Sequence, residues 1–349
     1  MKWLAIGLLF TLSAAAETPV EKAINLNGRG NRLAEASNYV DALPLYREAI
    51  DVWRSMGEPY EGHMAATLLN YGIALAGDGQ RGAAVKVLEN ALALHRKSLG
   101  PEHHRTITNM NLLAGNYLML DDAAKAETLL SAALPIERSL YPEDLQTART
   151  LEGLSSLSIR NNRPADALAL AEEALTMAIK TTGEDSVDTA LAYTSVAEAH
   201  RYMGAIDRAL PLYRKALMLY EKALGPRHPR VATLLSQEGL ILMHEGKLSM
   251  AEKAMLQCLD ILRASCPDCV AEIALAETNL GLLRLKQKRW VEANEALTTA
   301  VEMREKFAIQ PGPELADALQ NLAIAREKLR MFDDAARLNS RAQTIRGYR

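Results

Sequence analysis

Apolar positions recur with the period of an α-helix along nearly the whole chain, most clearly between Thr189 and Arg230. Two helical stretches are separated there by Gly204, a residue type that tolerates the left-handed conformation found at many helix ends. Apolar side chains of the second stretch follow an i, i+3, i+4, i+7 spacing; they are Ala209, Leu212, Tyr213, Ala216, Leu219, Tyr220 and Ala223. The pattern predicts a hairpin of two helices, helix A and helix B. One hairpin cannot bury both apolar faces, so it needs neighbouring copies.

The same pattern occurs eight times, at steps of 42 residues with a single step of 41. Each predicted helix B contains two small residues seven positions apart, and we use the first of them, the reference alanine, to number positions. The pairs are Ala42 and Ala49, Ala84 and Ala91, Ala126 and Ala133, Ala167 and Ala174, Ala209 and Ala216, Ala251 and Cys258, Ala293 and Ala300, and Ala335 and Ala342. Twelve positions before each reference alanine lies another small residue; these are Gly30, Gly72, Ala114, Ser155, Ala197, Gly239, Gly281 and Ala323. A larger side chain at a close helix contact would cost about 1–3 kcal/mol, so these columns predict closely stacked hairpins.

These columns resemble the tetratricopeptide repeat (TPR), which has a small residue in helix A, a Gly near the turn and two alanines in helix B. The 42-residue period and the links LGPEHHR (Leu99–Arg105) and LGPRHPR (Leu224–Arg230) resemble the TPRs of kinesin light chains and their bacterial relatives. The resemblance implies an all-α, right-handed superhelical solenoid of about eight repeats over residues 17–349. HEAT-like repeats, which have a similar length, are the alternative. The predicted repeats span about 19–57, 60–98, 105–141, 145–182, 189–224, 231–265, 273–307 and 315–346.

Residues 1–16, MKWLAIGLLFTLSAAA, have the pattern of a secretory signal peptide. Lys2 precedes an apolar run, and Ala14 to Ala16 form an A-x-A cleavage site before Glu17. The apolar run is too short to span a bilayer comfortably. We therefore expect cleavage, no membrane insertion of the mature chain, and a periplasmic or secreted location.

Charge and motifs argue against several classes of function. The formal net charge of −3 gives no support for nucleic-acid binding. The sequence contains no Gly-rich phosphate loop, H-E-x-x-H motif or nucleophile elbow, so we expect neither enzyme activity nor a cofactor. His103, His104 and His228 lie in links between repeats, where a role in a turn or helix cap is the simplest interpretation.

Cys266-Pro267-Asp268-Cys269 replaces the kind of link that follows repeat five. In an exported protein, the first interpretation is a local disulfide between Cys266 and Cys269, or a pair of inert thiols. Redox activity or intermolecular pairing is the second, although a thioredoxin-like motif would lie beside a βαβ unit. A zinc site needs about four ligands, and Cys258 occupies a buried alanine column, so we expect no metal site.

Two positions of helix A are candidates for ligand contact, because the A helices of a TPR stack line its concave groove. The position seven residues before the reference alanine is cationic or aromatic from repeat four onward, where it reads Arg160, Tyr202, His244, Lys286 and Lys328. A solvated surface is the alternative interpretation of this column.

The position fourteen residues before the reference alanine is an amide in four repeats, as Asn70, Gln237, Asn279 and Asn321. In kinesin light chain-like proteins the Asn at this position contacts a bound peptide. The resemblance carries that role to Asn70, Asn279 and Asn321, with Gln237 as a near match. Gly28, Leu112, Gly153 and Ser195 depart from the pattern. A hydrogen bond between helices is the alternative role of each Asn.

Together these features predict a non-enzymatic scaffold that binds an extended acidic peptide or protein segment in its groove. The amides would bond the ligand backbone, and the cations would pair with its acidic side chains. The alternative is a structural or assembly component of a cell-envelope complex that uses its outer surface.

Overall fold

The computed structural model describes residues 17–36, 38–267, 269–307 and 312–347, and the predicted signal peptide lies outside them. These residues form sixteen α-helices and one short 3-10 turn, Glu58–Tyr60, and none of them lies in a strand. The helices are α1 (Pro19–Glu35), α2 (Tyr39–Met56), α3 (Glu61–Gly77), α4 (Arg81–Leu99), α5 (His104–Met119), α6 (Ala123–Leu140), α7 (Leu145–Arg160), α8 (Pro164–Thr182), α9 (Val187–Tyr202), α10 (Ile206–Leu224), α11 (Pro229–His244), α12 (Leu248–Ser265), α13 (Val270–Lys286), α14 (Trp290–Phe307), α15 (Pro313–Lys328) and α16 (Phe332–Gly347). The all-α repeat prediction is confirmed.

The chain divides into two compact units, one ending at Pro142 and the other beginning at Glu143. Odd-numbered helices are the A helices of the repeats, and even-numbered helices are the B helices. Within each unit, a helix B contacts its own helix A and the helix A that follows, as α4 contacts α3 and α5. The first unit therefore holds hairpins one to three, and the second holds hairpins four to eight.

The small-residue columns lie at the closest contacts within the hairpins. All fifteen alanines of the helix B pairs, and Cys258, are buried. The helix A glycines face a large side chain of helix B: a Cβ on Gly72 would lie 2.6 Å from Leu88 Cδ2, and one on Gly281 would lie 2.5 Å from Leu297 Cγ. Glycine is therefore required there, because any side chain would enter space that the facing residue fills.

A left-handed residue ends the turn region between helix A and helix B in repeats two to eight, always five positions before the reference alanine. Gly79, Gly204 and Gly246 occupy it with φ of 79°, 75° and 78°. The other four repeats use side-chain-bearing residues with φ between 56° and 65°, namely Asp121, Asn162, Lys288 and Arg330. The turn at Gly204 was predicted from the sequence, but the left-handed conformation of the four other residues was not.

The link histidines begin helices. His103 Nδ1 accepts a hydrogen bond from the Arg105 amide at 3.1 Å, and His228 Nδ1 accepts one from the Arg230 amide at 3.2 Å. Burial and the nearby Arg230 guanidinium lower the pKa of His228, which favours the neutral imidazole that this acceptor role requires. The cap interpretation is confirmed for these two residues.

Candidate functional site

On the A helices of the second unit, the residues at positions 18, 14, 11 and 7 before the reference alanine are exposed or half-buried, except for the buried Asn279. This spacing places four side chains along one side of a helix. We call the surface formed by these side chains the A-face. Its residues are Arg149, Gly153, Ser156 and Arg160 on α7; Leu191, Ser195, Glu198 and Tyr202 on α9; Thr233, Gln237, Leu240 and His244 on α11; Leu275, Asn279, Leu282 and Lys286 on α13; and Asp317, Asn321, Ile324 and Lys328 on α15.

Six of the predicted site residues lie on three neighbouring A helices, because α13 contacts both α11 and α15. They are Gln237, His244, Asn279, Lys286, Asn321 and Lys328. Arg160 and Tyr202 lie on α7 and α9, which contact each other, and α10 packs against both α9 and α11. Asn70 lies in the first unit, on α3. The strongest candidate surface is therefore the part of the A-face on α11, α13 and α15.

Two of the predicted asparagines form hydrogen bonds between successive A helices. Asn279 Nδ2 donates to Ser236 Oγ at 3.1 Å, and Asn70 Nδ2 donates to Asn27 Oδ1 at 3.2 Å. Asn279 is only 8% exposed. Both residues thus have the helix-to-helix bond that the sequence left open as an alternative. Beyond that bond, the side-chain amide of each residue has an oxygen and a second N–H that can bond a ligand. The third predicted asparagine, Asn321, is half-buried.

We call the position seven residues before the reference alanine the cationic column. In the second unit its residues are exposed near the end of each helix A. Lys286 Nζ donates to the carbonyl oxygen of Met243 at 2.8 Å, which connects the C-terminal turns of α13 and α11. His244 and Lys328 are exposed on the helices to either side. All three side chains lie in the last turns of their helices, where the helix dipole presents its negative end.

Tyr202 contributes an exposed aromatic side chain, and the charged guanidinium of Arg201 lies beside it. Tyr202 is 53% exposed, and Arg201 Cζ lies 4.2 Å from the ring centroid. Burial alone would lower the pKa of Arg201, but the charge of Glu198 and hydrogen bonds with Tyr202 and Tyr213 raise it above its usual value. The guanidinium therefore stays charged against one side of the Tyr202 ring.

The A-face also carries aliphatic side chains that the sequence reasoning did not select. Leu275 and Ile324 are 47% and 40% exposed, and Leu240 and Leu282 are half-buried. Three of these four stand eleven positions before the reference alanine in repeats six, seven and eight. This position lies between the amide and cationic columns, so the register of the repeats is a sequence signal that places these three residues on the same face. The surface on α11, α13 and α15 thus combines amides, cations and apolar side chains.

Asn70 lies on a different kind of surface. The A helices of the first unit expose Ile24, Ile73 and Met119. At Gly77, the residue of the cationic column in repeat two, a Cβ would lie 2.5 Å from the Tyr39 ring. The neighbouring aromatic side chain therefore fills the place that a cation takes in the later repeats.

The cysteines are held in different states. Cys266 and Cys269 form a disulfide with a Cα–Cα distance of 5.3 Å. Cys258 is buried, and its burial raises the pKa of the thiol to about 12, so the thiol stays protonated. Within the described residues, no group of three or more His, Cys, Asp and Glu side chains could hold a metal ion. In the same part of the chain, no helix combines the length and the hydropathy of a membrane span.

The helix B side has cavities at equivalent places between successive repeats. One in the second unit lies between α12, α13 and α14 and measures about 350 Å³, with Leu256, Glu277 and Arg284 in its lining. Two cavities of the same volume occupy the corresponding register in the first unit, between α2, α3 and α4 and between α4, α5 and α6. They offer a second kind of surface, on the opposite layer of helices.

Several solved structures share this fold at low sequence identity. A variant form of a putative kinesin light chain from Podosopora anserina, which has nearly identical TPR-like repeats, is 19% identical, with a TM-score of 0.50 over 59% of this chain and 98% of that one. A Rap protein in complex with competence and sporulation factor is 15% identical, with a TM-score of 0.61 over 94% of this chain and 98% of that one. NprR in complex with its cognate peptide NprX is 16% identical, with a TM-score of 0.54 over 76% of this chain and 77% of that one.

The sequence comparisons identify the family. The tetratricopeptide repeat profile matches residues 63–139, 113–180 and 188–264, which together cover more than half of the chain. A search of curated proteins returned no significant match. The profile match agrees with the helical hairpins, the buried alanine columns and the left-handed turns described above. The chain belongs to the tetratricopeptide repeat family.

Proposed function

We propose that the protein is a non-enzymatic binding scaffold whose A-face on α11, α13 and α15 holds an extended acidic segment of a peptide or protein. The observation that carries this proposal is the row His244, Lys286 and Lys328 on three neighbouring helices. Helix axes in contact lie about 8–10 Å apart, and an extended chain advances about 3.3 Å per residue. One acidic segment of about ten residues can therefore reach all three side chains of this row.

The chemistry of the surface fits such a ligand in three ways. The exposed cations attract the carboxylates of the ligand, and several such pairs along one ligand act together. The half-buried Asn321 amide can bond the ligand backbone, and the aliphatic side chains Leu275 and Ile324 can bury apolar groups of the ligand. The solved structures of a Rap protein and of NprR add fold-level support, because NprR was determined with its cognate peptide and Rap with a bound factor.

Calorimetric titration tests the proposal with peptides of about ten residues rich in Glu and Leu. The double variant Lys286→Glu with Lys328→Glu should weaken binding at least about tenfold, because the reversed charges repel the peptide. The parent affinity should also fall as salt rises towards about 0.5 M.

The matched control reverses two exposed charges on B helices, Lys253→Glu with Arg337→Glu. This control keeps the same net charge as the double A-face variant but leaves the A-face intact. Binding that survives in the A-face variant and is lost in the control would contradict the proposal.

The cavities on the helix B side favour a second candidate, an assembly component of a larger complex that uses this outer surface. Leu256 lines one of them and is exposed. A partner that docks there would lose affinity with Leu256→Glu and would be insensitive to the changes at Lys286 and Lys328.

A further inference from the structure

The turns of the last two repeats carry cations where the backbone favours glycine. Lys288 and Arg330 have φ of 62° and 64°, at the position held by Gly79, Gly204 and Gly246 in other repeats. A residue with a Cβ loses stability in this left-handed region, because the Cβ lies too close to the following carbonyl oxygen. Asn and Asp lose less, since their short side chains can bond locally, but Lys and Arg have no such compensation. The left-handed backbone at Lys288 and Arg330 therefore lowers the stability of the folded protein.

Both turn cations extend the charge of the A-face. Lys288 follows Lys286 by two residues, and Arg330 follows Lys328 by two residues, on helices α13 and α15 that contact each other. All four side chains are exposed. Among the described residues, no carboxylate pairs with the side chain of Lys288, Lys328 or Arg330.

The neighbouring Arg289 shows what a structural cation looks like at the same turn. Its Nη1 lies 2.6 Å from Glu252 Oε1, and its Nε donates to Glu292 Oε1 at 2.8 Å. Arg289 therefore ties the turn to α12 and α14, and its charge is balanced by carboxylates. Lys288, one residue earlier, has no such connection.

Helix-dipole effects do not explain the turn cations. An exposed cation near a helix C-terminus stabilises the helix by less than the left-handed backbone costs. Lys286 and Lys328 already lie in the last turns of these helices. Replacing Lys288 and Arg330 with glycine would thus be expected to stabilise the fold, so a gain other than stability accounts for them.

We propose that Lys288 and Arg330 join Lys286 and Lys328 in a four-cation edge that binds clustered carboxylates of a protein segment leaving the A-face. This proposal rests on the proposed function and adds two residues that the cationic column does not contain. A protein segment is the ligand that fits, because the edge continues into Asn321 and Ile324, which suit a peptide backbone and apolar side chains. A phosphate-bearing surface, such as an anionic lipid membrane, would contact only the cations and not Asn321 or Ile324.

The test exploits the opposite signs expected for stability and binding. The double variant Lys288→Gly with Arg330→Gly should raise Tm, because strain is relieved, and should weaken binding of a Glu-rich peptide about three- to tenfold. Lys288→Asn with Arg330→Asn should weaken binding equally, because it also removes both charges.

Two controls separate charge position from strain and from total charge. Asn162→Gly changes the same turn register in repeat four without removing a charge, so the affinity should stay at the parent value. Arg208→Gln with Lys253→Gln removes two exposed cations from B helices, and the affinity should fall by less than about twofold.

Each contrary outcome points to a different failure. Parent-like peptide binding by the double Gly variant would overturn the four-cation edge, even if Lys286→Glu with Lys328→Glu still abolishes binding as the proposed function requires. An unchanged or lower Tm would overturn the strain argument. If the double Gly variant no longer binds anionic-lipid vesicles that the parent binds, but still binds the peptide as the parent does, the ligand of the edge is a phosphate-bearing surface and the proposal is wrong. A parent that binds no Glu-rich peptide at low salt would refute both proposals together.

Discussion

At the scale of single residues, His95 is a polar side chain in a place that favours an apolar one. It is fully buried in α4, and neither ring nitrogen has a hydrogen-bond partner among the described residues. Leu262 fills the same register in α12, where an apolar side chain packs. Burial, together with the charges of Arg105 and His103, lowers the pKa of His95. The folded protein therefore holds this imidazole neutral.

The sign of the resulting pH effect follows from proton linkage. An unfolded chain protonates histidine below a pKa of about 6.5, whereas the folded protein does so only at lower pH. Stability should therefore fall as the pH drops below about 6.5, by up to about 1.4 kcal/mol for each unit by which folding lowers the pKa. His95→Leu should be more stable than the parent at pH 8, and its advantage should grow towards pH 5. Parallel stability curves for the two proteins, measured by urea unfolding, would contradict this account.

Sequence reasoning at this scale succeeded where side-chain volume is the constraint. A buried contact excludes large residues in every repeat, so Gly72, Gly281 and the alanine columns recur visibly along the chain. It was less effective for polar residues. The bond between Asn279 and Ser236 joins residues 43 positions apart, and it depends on how two A helices are placed against each other. Periodicity alone does not determine that placement.

At the scale of helices, the contact between Gly281 and Leu297 holds α13 against α14. Gly281→Ala should lower the stability by about 1–3 kcal/mol, because the new methyl group would enter the space of the fully buried Leu297. In a Leu297→Ala background the same change should cost almost nothing, since the facing side chain has been shortened. Thermal unfolding of the four proteins of this cycle measures the coupling directly.

Gly115 in α5 is the matched control, because it is exposed and a Cβ there would meet no atom within 4 Å. Gly115→Ala should stabilise the protein by about 0.5–1 kcal/mol through the higher helix propensity of alanine. An equal effect of alanine at Gly115 and Gly281 would mean that the small column does not mark a close contact.

Helix boundaries followed from the sequence wherever the turn chemistry was distinctive. Gly204 predicted a turn that the structure contains, since glycine adopts positive φ without cost. Lys288 and Arg330 occupy the same position without any local signal, because long cationic residues are common in helices. Their conformation is set by the hairpin that surrounds them, and only the register of the repeats would have indicated it.

At the scale of the whole molecule, the repeats within each unit bring equal positions of successive A helices side by side. This arrangement turns single cations, each weak alone, into a surface that can engage several groups of one ligand. The family and the all-α repeat architecture could be predicted from the sequence. The apolar part of the A-face could not be predicted from composition, because Leu275, Leu282 and Ile324 look like core residues until the register of the repeats places them beside the amide and cationic columns.

Site-specific photo-crosslinking tests most directly whether the ligand lies on the A-face. A photoreactive amino acid would replace Leu275, Ile324 or, as control, Leu256 on the helix B side. These three side chains are aliphatic and similarly exposed, at 47%, 40% and 45%, so differences in crosslinking report position rather than accessibility. With a Glu- and Leu-rich peptide, we predict crosslinks from positions 275 and 324 and none above background from position 256. Crosslinks from position 256 alone would contradict the account and place the binding surface on the helix B side.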